Sequence, residues 1–261
     1  MCTSCGCGEN SKPKLIDPKT GHVVSLDLRA PHDREPVRHH DHDASHTKTL
    51  HLEAEILAKN DRIAERNRRW FQERNILALN LVSSPGSGKT TLLERTLRDL
   101  GEQLPISVIE GDQETVNDAE RIRATGCRVV QVNTGTGCHL EAGMVARGMG
   151  ELQPPRNSIV MIENVGNLVC PALFDLGEKC KAVILSVTEG DDKPIKYPHM
   201  FRASDIMILN KIDLLPYVQF APDKCIQYAR RVNPGIRIFQ LSATTGEGLD
   251  AWLHWLQEQM S

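Results

Sequence analysis

The sequence predicts an α/β fold: a mostly parallel sheet flanked by helices, with a disordered N-terminal arm in front of it. Three observations predict it. From about residue 76 onward, short apolar runs alternate with amphipathic segments, the pattern of strands buried on both faces beneath covering helices. The first apolar run passes through a glycine-rich loop into a helical segment. Composition also changes sharply near residue 50, from polar and histidine-studded to regularly patterned.

Residues 1–49 form the expected arm. Cys2, Cys5 and Cys7 crowd its start, and His22, His32, His39, His40, His42 and His46 follow within it, with His51 just beyond. Few aliphatic side chains, several prolines and mixed charge cannot offset the entropy of ordering such a stretch. Residues 50–75 read as an amphipathic helix leading into the core, because Leu52, Ile56, Leu57, Ile63, Ala64, Trp70 and Phe71 recur near helical spacing. The remaining 76–261 form one domain. Its expected strands are Ile76–Val82, Ile106–Glu110, Cys127–Val132, Ser158–Glu163, Lys181–Val187, Asp205–Leu209 and Ile236–Leu241. Its expected helices lie near 88–100, 114–125, 139–150, 222–232 and 246–258.

The first strand runs into Ser83-Ser84-Pro85-Gly86-Ser87-Gly88-Lys89-Thr90-Thr91 at the start of a helix. Strand before and helix after make this a P-loop and the domain a P-loop NTPase fold. Gly86, Ser87 and Gly88 let backbone amides close around phosphates. Lys89 is placed to reach the β- and γ-phosphates, and the Thr90 hydroxyl to ligate Mg²⁺. The loop opens on Ser83 where the general pattern has glycine. Asn210-Lys211-Ile212-Asp213, behind a later strand, resembles the guanine motif of GTPases. The Asp213 carboxylate accepts both guanine N–H groups, a pairing adenine cannot match, and the Lys211 stem covers the base. Ser242-Ala243-Thr244 follows the last strand, where backbone amides could meet the guanine carbonyl.

Two segments are expected to sense the γ-phosphate. Asp112, in Gly111-Asp112-Gln113-Glu114-Thr115, could position water or hold the metal's hydration shell; it could equally cap the next helix. Glu163-Asn164-Val165-Gly166 fits the pattern that brings the Glu163 carboxylate near Mg²⁺ and the Gly166 amide near the γ-phosphate. The expected catalytic set is therefore Lys89, Asp112 and Glu163, with Thr90, Asp112 and Glu163 on magnesium. No glutamine follows Gly166, so slow turnover is expected.

Cysteine and histidine placement suggests a second chemistry. Cys2, Cys5 and Cys7 put three soft ligands on a movable end, suiting Ni²⁺ in a square-planar set or Zn²⁺ in a tetrahedral one. The run His39-His40-Asp41-His42 could raise the local ion concentration or serve only as a solvated linker. Cys138 and His139 follow the third strand, and Cys170 lies in the loop beyond Glu163. All three fall at the carboxyl edge of the sheet, where such folds bind ligands. Singly each thiol reads as a small buried hydrophobe; together they read as a metal site that feels the nucleotide. Cys127, Cys180 and Cys225 read as packing residues.

The formal net charge of −3 over 261 residues lacks the concentrated basic excess expected of nucleic-acid or membrane-surface proteins. No apolar run approaches the roughly 18–20 residues of a membrane span. The opening Met1-Cys2-Thr3-Ser4-Cys5 lacks a secretory pattern. A cytoplasmic protein with reduced thiols is expected.

With Ser83–Thr91, Gly111–Thr115, Gly137–Leu140, Glu163–Pro171, Glu189–Pro194 and Asn210–Asp213 in hand, the chain resembles the hydrogenase nickel incorporation GTPases, the HypB family of metallochaperones. The resemblance implies GTP hydrolysis with Mg²⁺, nickel binding, and a homodimer favoured by GTP. It also implies a HypA-type nickel accessory protein and delivery to the large subunit precursor of a [NiFe]-hydrogenase. It matches Cys2, Cys5 and Cys7 to a terminal nickel site, and Cys138, His139 and Cys170 to the metal site of the GTPase domain. A nickel-storage protein with an accessory GTPase, or a GTPase maturing another nickel enzyme such as urease, are the alternatives.

Overall fold

A computed structural model describes residues 14–16, 23–25, 43–112, 117–135 and 137–260. Internal contacts divide the chain into two units, Met1–Leu52 and Glu53–Ser261. In the first, β1 (Lys14–Ile16) and β2 (Val23–Ser25) pair antiparallel. The cysteine positions Cys2, Cys5 and Cys7 and the histidine run 39–42 lie outside the described residues.

The second unit is built on one seven-stranded sheet, all of whose pairings are parallel. After α1 (Asp43–Gln72) come β3 (Ile76–Ser83), α2 (Lys89–Leu100), β4 (Ile106–Asp112), α3 (Asn117–Arg123), β5 (Arg128–Asn133), α4 (Ala142–Leu152) and β6 (Ser158–Gly166). Then follow β7 (Cys180–Ser186), α5 (Lys193–Lys196), α6 (Pro198–Arg202), β8 (Ile206–Asn210), α7 (Pro222–Val232), β9 (Arg237–Gln240) and α8 (Leu249–Glu258). Short 3-10 turns occupy Cys170–Ala172 and Ile212–Tyr217. The spatial order is β5-β4-β6-β3-β7-β8-β9. The strand that feeds the P-loop is thus central, paired with β6 on one side and β7 on the other.

Alternation along β3 divides the core. Leu77, Leu79 and Leu81 pack with Leu92, Leu93 and Leu97 of α2 and with Trp252 and Leu256 of α8. On the opposite face Ala78 joins Phe71 of α1 and Val145, Met149 and Leu152 of α4. A third cluster sets Val82, Val183 and Leu209 against Phe201 of α6 and Cys225 and Ala229 of α7. Each fully buried leucine or isoleucine contributes about 1.5–3 kcal/mol. Asn80, facing the second side and fully buried, breaks that pattern and must find polar partners.

All seven expected strands are present. Their ends differ where function concentrates: β4 continues to Asp112 because its ladder with β5 runs on to Asn133, and β6 to Gly166 because its ladder with β3 runs on to Ser83. The helix expected from Leu50 begins at Asp43. Helices α5 and α6 are not among the expected ones, being too short to show a periodicity. Pro194 and Pro198 sit in their first turns, where a missing N–H costs nothing. Among the described residues, no helix is long and apolar enough to cross a membrane.

Candidate functional site

The P-loop turns out of β3 with Gly86 at φ 76° and Gly88 at φ 89°. Gly88 is held there by a neighbour as well: a Cβ on it would stand 2.6 Å from Asn210 Nδ2. Lys89 and Thr90 start α2 and converge on one carboxylate. Lys89 Nζ and Thr90 Oγ1 each donate to Glu163 Oε1 at 2.6 Å. The Glu163 side chain is 1 % exposed, and its other oxygen has no hydrogen-bond partner among the described residues. Ser87 Oγ is likewise buried without a partner. A buried cation, hydroxyl and carboxylate gathered beside an unsatisfied hydroxyl form a site still able to accept polar ligands. Thr91 follows on the same helix and comes within 3.4 Å of Arg121 Nη2. Gly166 ends β6 against the loop, where a Cβ would meet Pro85 at 3.2 Å.

The guanine-type motif is tied to the same loop. Asn210 Nδ2 donates to Ser87 O at 3.0 Å, and Lys211 Nζ to Gly86 O at 2.7 Å. Lys211 takes a left-handed backbone at φ 64°, and its N–H donates to Asn210 Oδ1. Asp213 presents a buried acceptor, Oδ1, that has no hydrogen-bond partner among the described residues. The Ser242 and Ala243 amides are engaged inside the protein: Ser242 N donates to Glu247 O and Ala243 N to Asn210 Oδ1. That turn therefore fastens the guanine-motif strand to the end of the sheet. Asp112 closes β4 opposite Asn133; its side chain lies outside the described residues. Lys193, unremarked as a site residue in the sequence, donates to Ser84 Oγ at 3.2 Å and pairs with Glu189.

Cys138, His139 and Cys170 come together as the sequence suggested. Their ligand atoms all lie within 4.8 Å of one another, and each residue is half-buried. The Cys138 and Cys170 sulfurs are 2.9 Å apart. His139 lies against Phe174 with ring centroids 4.0 Å apart and planes tilted by 34°, and its Nε2 is buried without a partner among the described residues. Burial lowers the His139 pKa, against an opposing pull from Glu141, which favours the neutral imidazole that binds metals. Two thiols and an imidazole suit nickel or zinc and leave the coordination shell open. By contrast, burial pushes the Cys127 and Cys180 thiols up to about 11 and the Cys225 thiol to about 12, so these pack as protonated hydrophobes.

Links the sequence did not reveal surround this cluster. Asn167, next after Gly166, donates to Cys138 O at 3.3 Å and accepts from Val169 N. From α1, Asn60 donates to Asp175 O and accepts from Ala142 N, while Asn67 donates to both Ala142 O and Leu176 O. Arg68 on the same helix pairs with Asp175. The segment after Cys138–His139 and the segment after Cys170 are thus clipped together by one helix. The only sequence signal was asparagine recurring at positions 60 and 67 on an otherwise apolar stripe.

Residues 77–240 match the family described as CobW/HypB/UreG, nucleotide-binding domain. A curated relative, the hydrogenase maturation factor HypB of Escherichia coli (strain K12), is 50% identical over 290 aligned positions covering 99% of each chain. The solved structure of hydrogenase maturation factor HypB from Archaeoglobus fulgidus superposes with a TM-score of 0.73 at 37% identity, over 78% of this chain and all of that one. HypB from Helicobacter pylori, solved in complex with nickel, gives 0.72 at 37% identity, over 77% of this chain and 95% of that one.

Proposed function

Since the chain belongs to the HypB family of hydrogenase maturation factors, within the CobW/HypB/UreG nucleotide-binding domains, we propose that it is a cytoplasmic GTP-hydrolysing nickel metallochaperone. It helps place nickel in the large subunit precursor of a [NiFe]-hydrogenase. One observation carries this reading: the Cys138–His139–Cys170 cluster is fastened, through Asn167, to the strand end whose Glu163 binds both Lys89 and Thr90.

GTP is held by Gly86, Ser87, Gly88, Lys89, Thr90 and Thr91 around its phosphates and by Asn210, Lys211 and Asp213 around its base, with the Ser242–Ala243 turn beside it. The unpartnered Asp213 Oδ1 supports guanine over adenine, because a buried carboxylate left without donors is costly. Thr90 and Glu163, with its orphaned oxygen, fit the all-oxygen preference of Mg²⁺, and Asp112 is the third candidate ligand. Bound there, Mg²⁺ would neutralise charge on the phosphate oxygens. When a phosphate enters the loop, Lys89 exchanges the Glu163 carboxylate for phosphate oxygens, and Glu163 is released to follow the nucleotide. Asn167 stands where a water-orienting glutamine would follow Gly166, and its amide is already committed to the metal-bearing loop, which supports slow turnover.

Nickel is the cargo. Cys2, Cys5 and Cys7 hold it on the arm; Cys138, His139 and Cys170 hold it, or Zn²⁺, within the domain. A GTP-favoured homodimer would pool two open coordination shells, and a HypA-type protein is the expected co-worker. Titration of the reduced protein with Ni²⁺ and Zn²⁺, under GDP and under a non-hydrolysable GTP analogue, tests this. Full-length chain is compared with a version lacking its first ten residues. A tight nickel site lost on truncation and a weaker nucleotide-sensitive one retained are expected; no nickel binding in either form overturns the reading.

A further inference from the structure

Four buried polar side chains run through the apolar side of the sheet where β6, β3 and β7 lie side by side. Asn164, adjacent to Glu163, donates from Nδ2 to Asn80 Oδ1 at 3.2 Å. Asn80 donates onward to Glu178 Oε1 at 3.0 Å. Glu178 pairs with Lys181 at 3.6 Å and accepts the Leu176 amide at 2.7 Å. Lys181 donates to Pro171 O at 2.8 Å and to Phe174 O at 3.3 Å. None of the four is more than 7 % exposed.

The two ends of this chain grip the two halves of the metal cluster. At one end Asn164 Oδ1 accepts the N–H of Leu140, the residue after His139. At the other, Lys181 holds the carbonyls of Pro171, next to Cys170, and of Phe174, which lies against His139. Its middle member sits on β3, three residues before the P-loop serine Ser83, and its first member neighbours the carboxylate shared by Lys89 and Thr90.

Stability alone does not account for this arrangement. Taking a carboxylate and an ammonium out of water costs several kcal/mol each, and well-packed apolar residues in such places are commonly as stable or more so. What a fully satisfied buried network supplies is a defined geometry, with two ends that move together or not at all.

We propose that Asn164, Asn80, Glu178 and Lys181 are positioning residues that set the separation between Cys138–His139 and Cys170 and convey nucleotide state to that separation. The proposal rests on the reading of the domain as a nucleotide-coupled nickel carrier and deepens it. When Glu163 exchanges partners, β6 shifts at Asn164, and the displacement is delivered through Asn80 and Glu178 to the lysine that holds the Cys170 turn. Contacts that orient metal ligands from behind are worth roughly 10–100-fold in affinity, and coupling between two sites is worth about 5–150-fold.

The test uses full-length protein with Cys2, Cys5 and Cys7 replaced by alanine, so that thiolate-to-nickel charge-transfer absorption reports only the internal site. Ni²⁺ is titrated under GDP and under a non-hydrolysable GTP analogue. Asn80→Leu cuts the chain in the middle. The pair Glu178→Gln with Lys181→Met cuts its far end without leaving an isolated charge. The expected result is unchanged GDP affinity, nickel affinity weakened roughly 10–100-fold, and a ratio between the two nucleotide states that falls to about one. If the parent protein shows the ratio and folded variants keep both ratio and affinity, the relay is overturned while nucleotide coupling stands. A parent protein with equal nickel affinity in both nucleotide states overturns coupling and relay together. Should Asn80→Leu lose GDP binding or its cooperative melt, the Glu178–Lys181 pair decides on the same criteria.

Discussion

Asp213 and Glu163 carry opposite kinds of prediction. Replacing Asp213 with alanine removes a charged acceptor from the base, so GTP affinity should fall by about 1.5–3 kcal/mol, roughly tenfold to 150-fold, with ATP affinity unmoved in the same competition assay. Glu163→Gln keeps the shape but loses the charge paired with Lys89. Phosphate release should drop on the order of 100-fold or more, while GDP binding, read by a fluorescent analogue, changes far less. The thiols separate just as clearly. With a thiol pKa pushed to about 12 and no exposed surface, Cys225 should resist alkylation in the native protein, whereas Cys138 and Cys170 should label and be protected by nickel. Much of this was legible in the sequence because the P-loop and the Asn210–Asp213 motif are contiguous runs whose chemistry depends on local backbone. The partners of Asn80 were not, since they sit at Asn164 and Glu178 and only the sheet brings them together. One apolar strand interrupted by an asparagine was the sole hint.

At the scale of elements, α1 acts as a clip. Asn60 and Asn67 are nearly fully buried, and their amides hold main-chain groups from the segments that follow Cys138–His139 and Cys170. Asn67→Ala leaves the carbonyls of Ala142 and Leu176 without that donor, which should cost about 1–3 kcal/mol, visible as a lower denaturant midpoint with unchanged slope. Nickel binding at the internal site should weaken in parallel, and Asn67→Asp, which lacks the amide donor, should not restore it. Periodicity found this helix because its apolar stripe is long. It could not find α5 and α6, because helices of four and five residues show no periodicity and carry a proline in the first turn. The strand extensions to Asp112 and Gly166 were hidden for a related reason: Gly111, Asp112, Asn164 and Gly166 break the apolar run while the ladder continues.

For the whole molecule, the cysteine turn is flanked by unusually open apolar side chains, Val169 at 57 % and Leu173 at 58 % exposure. Light scattering should show a GTP analogue shifting the protein from monomer to dimer. Leu173→Glu should abolish that shift while leaving monomer stability within about 0.5 kcal/mol, as surface changes usually do. The sheet order has its own consequence for how the molecule is made. Ile76 pairs with Ser158 and Leu79 with Cys180, so β3 gains neither neighbour until most of the chain has left the ribosome. Non-local parallel pairing of this kind is slow, and it leaves an open strand edge in the meantime. Asn210, proposed above to help hold the base, ends β8 and emerges later still, so GTP would reward only a chain in which β8 has been made, and mass action by the cell's nucleotide would favour folded domains over nascent ones.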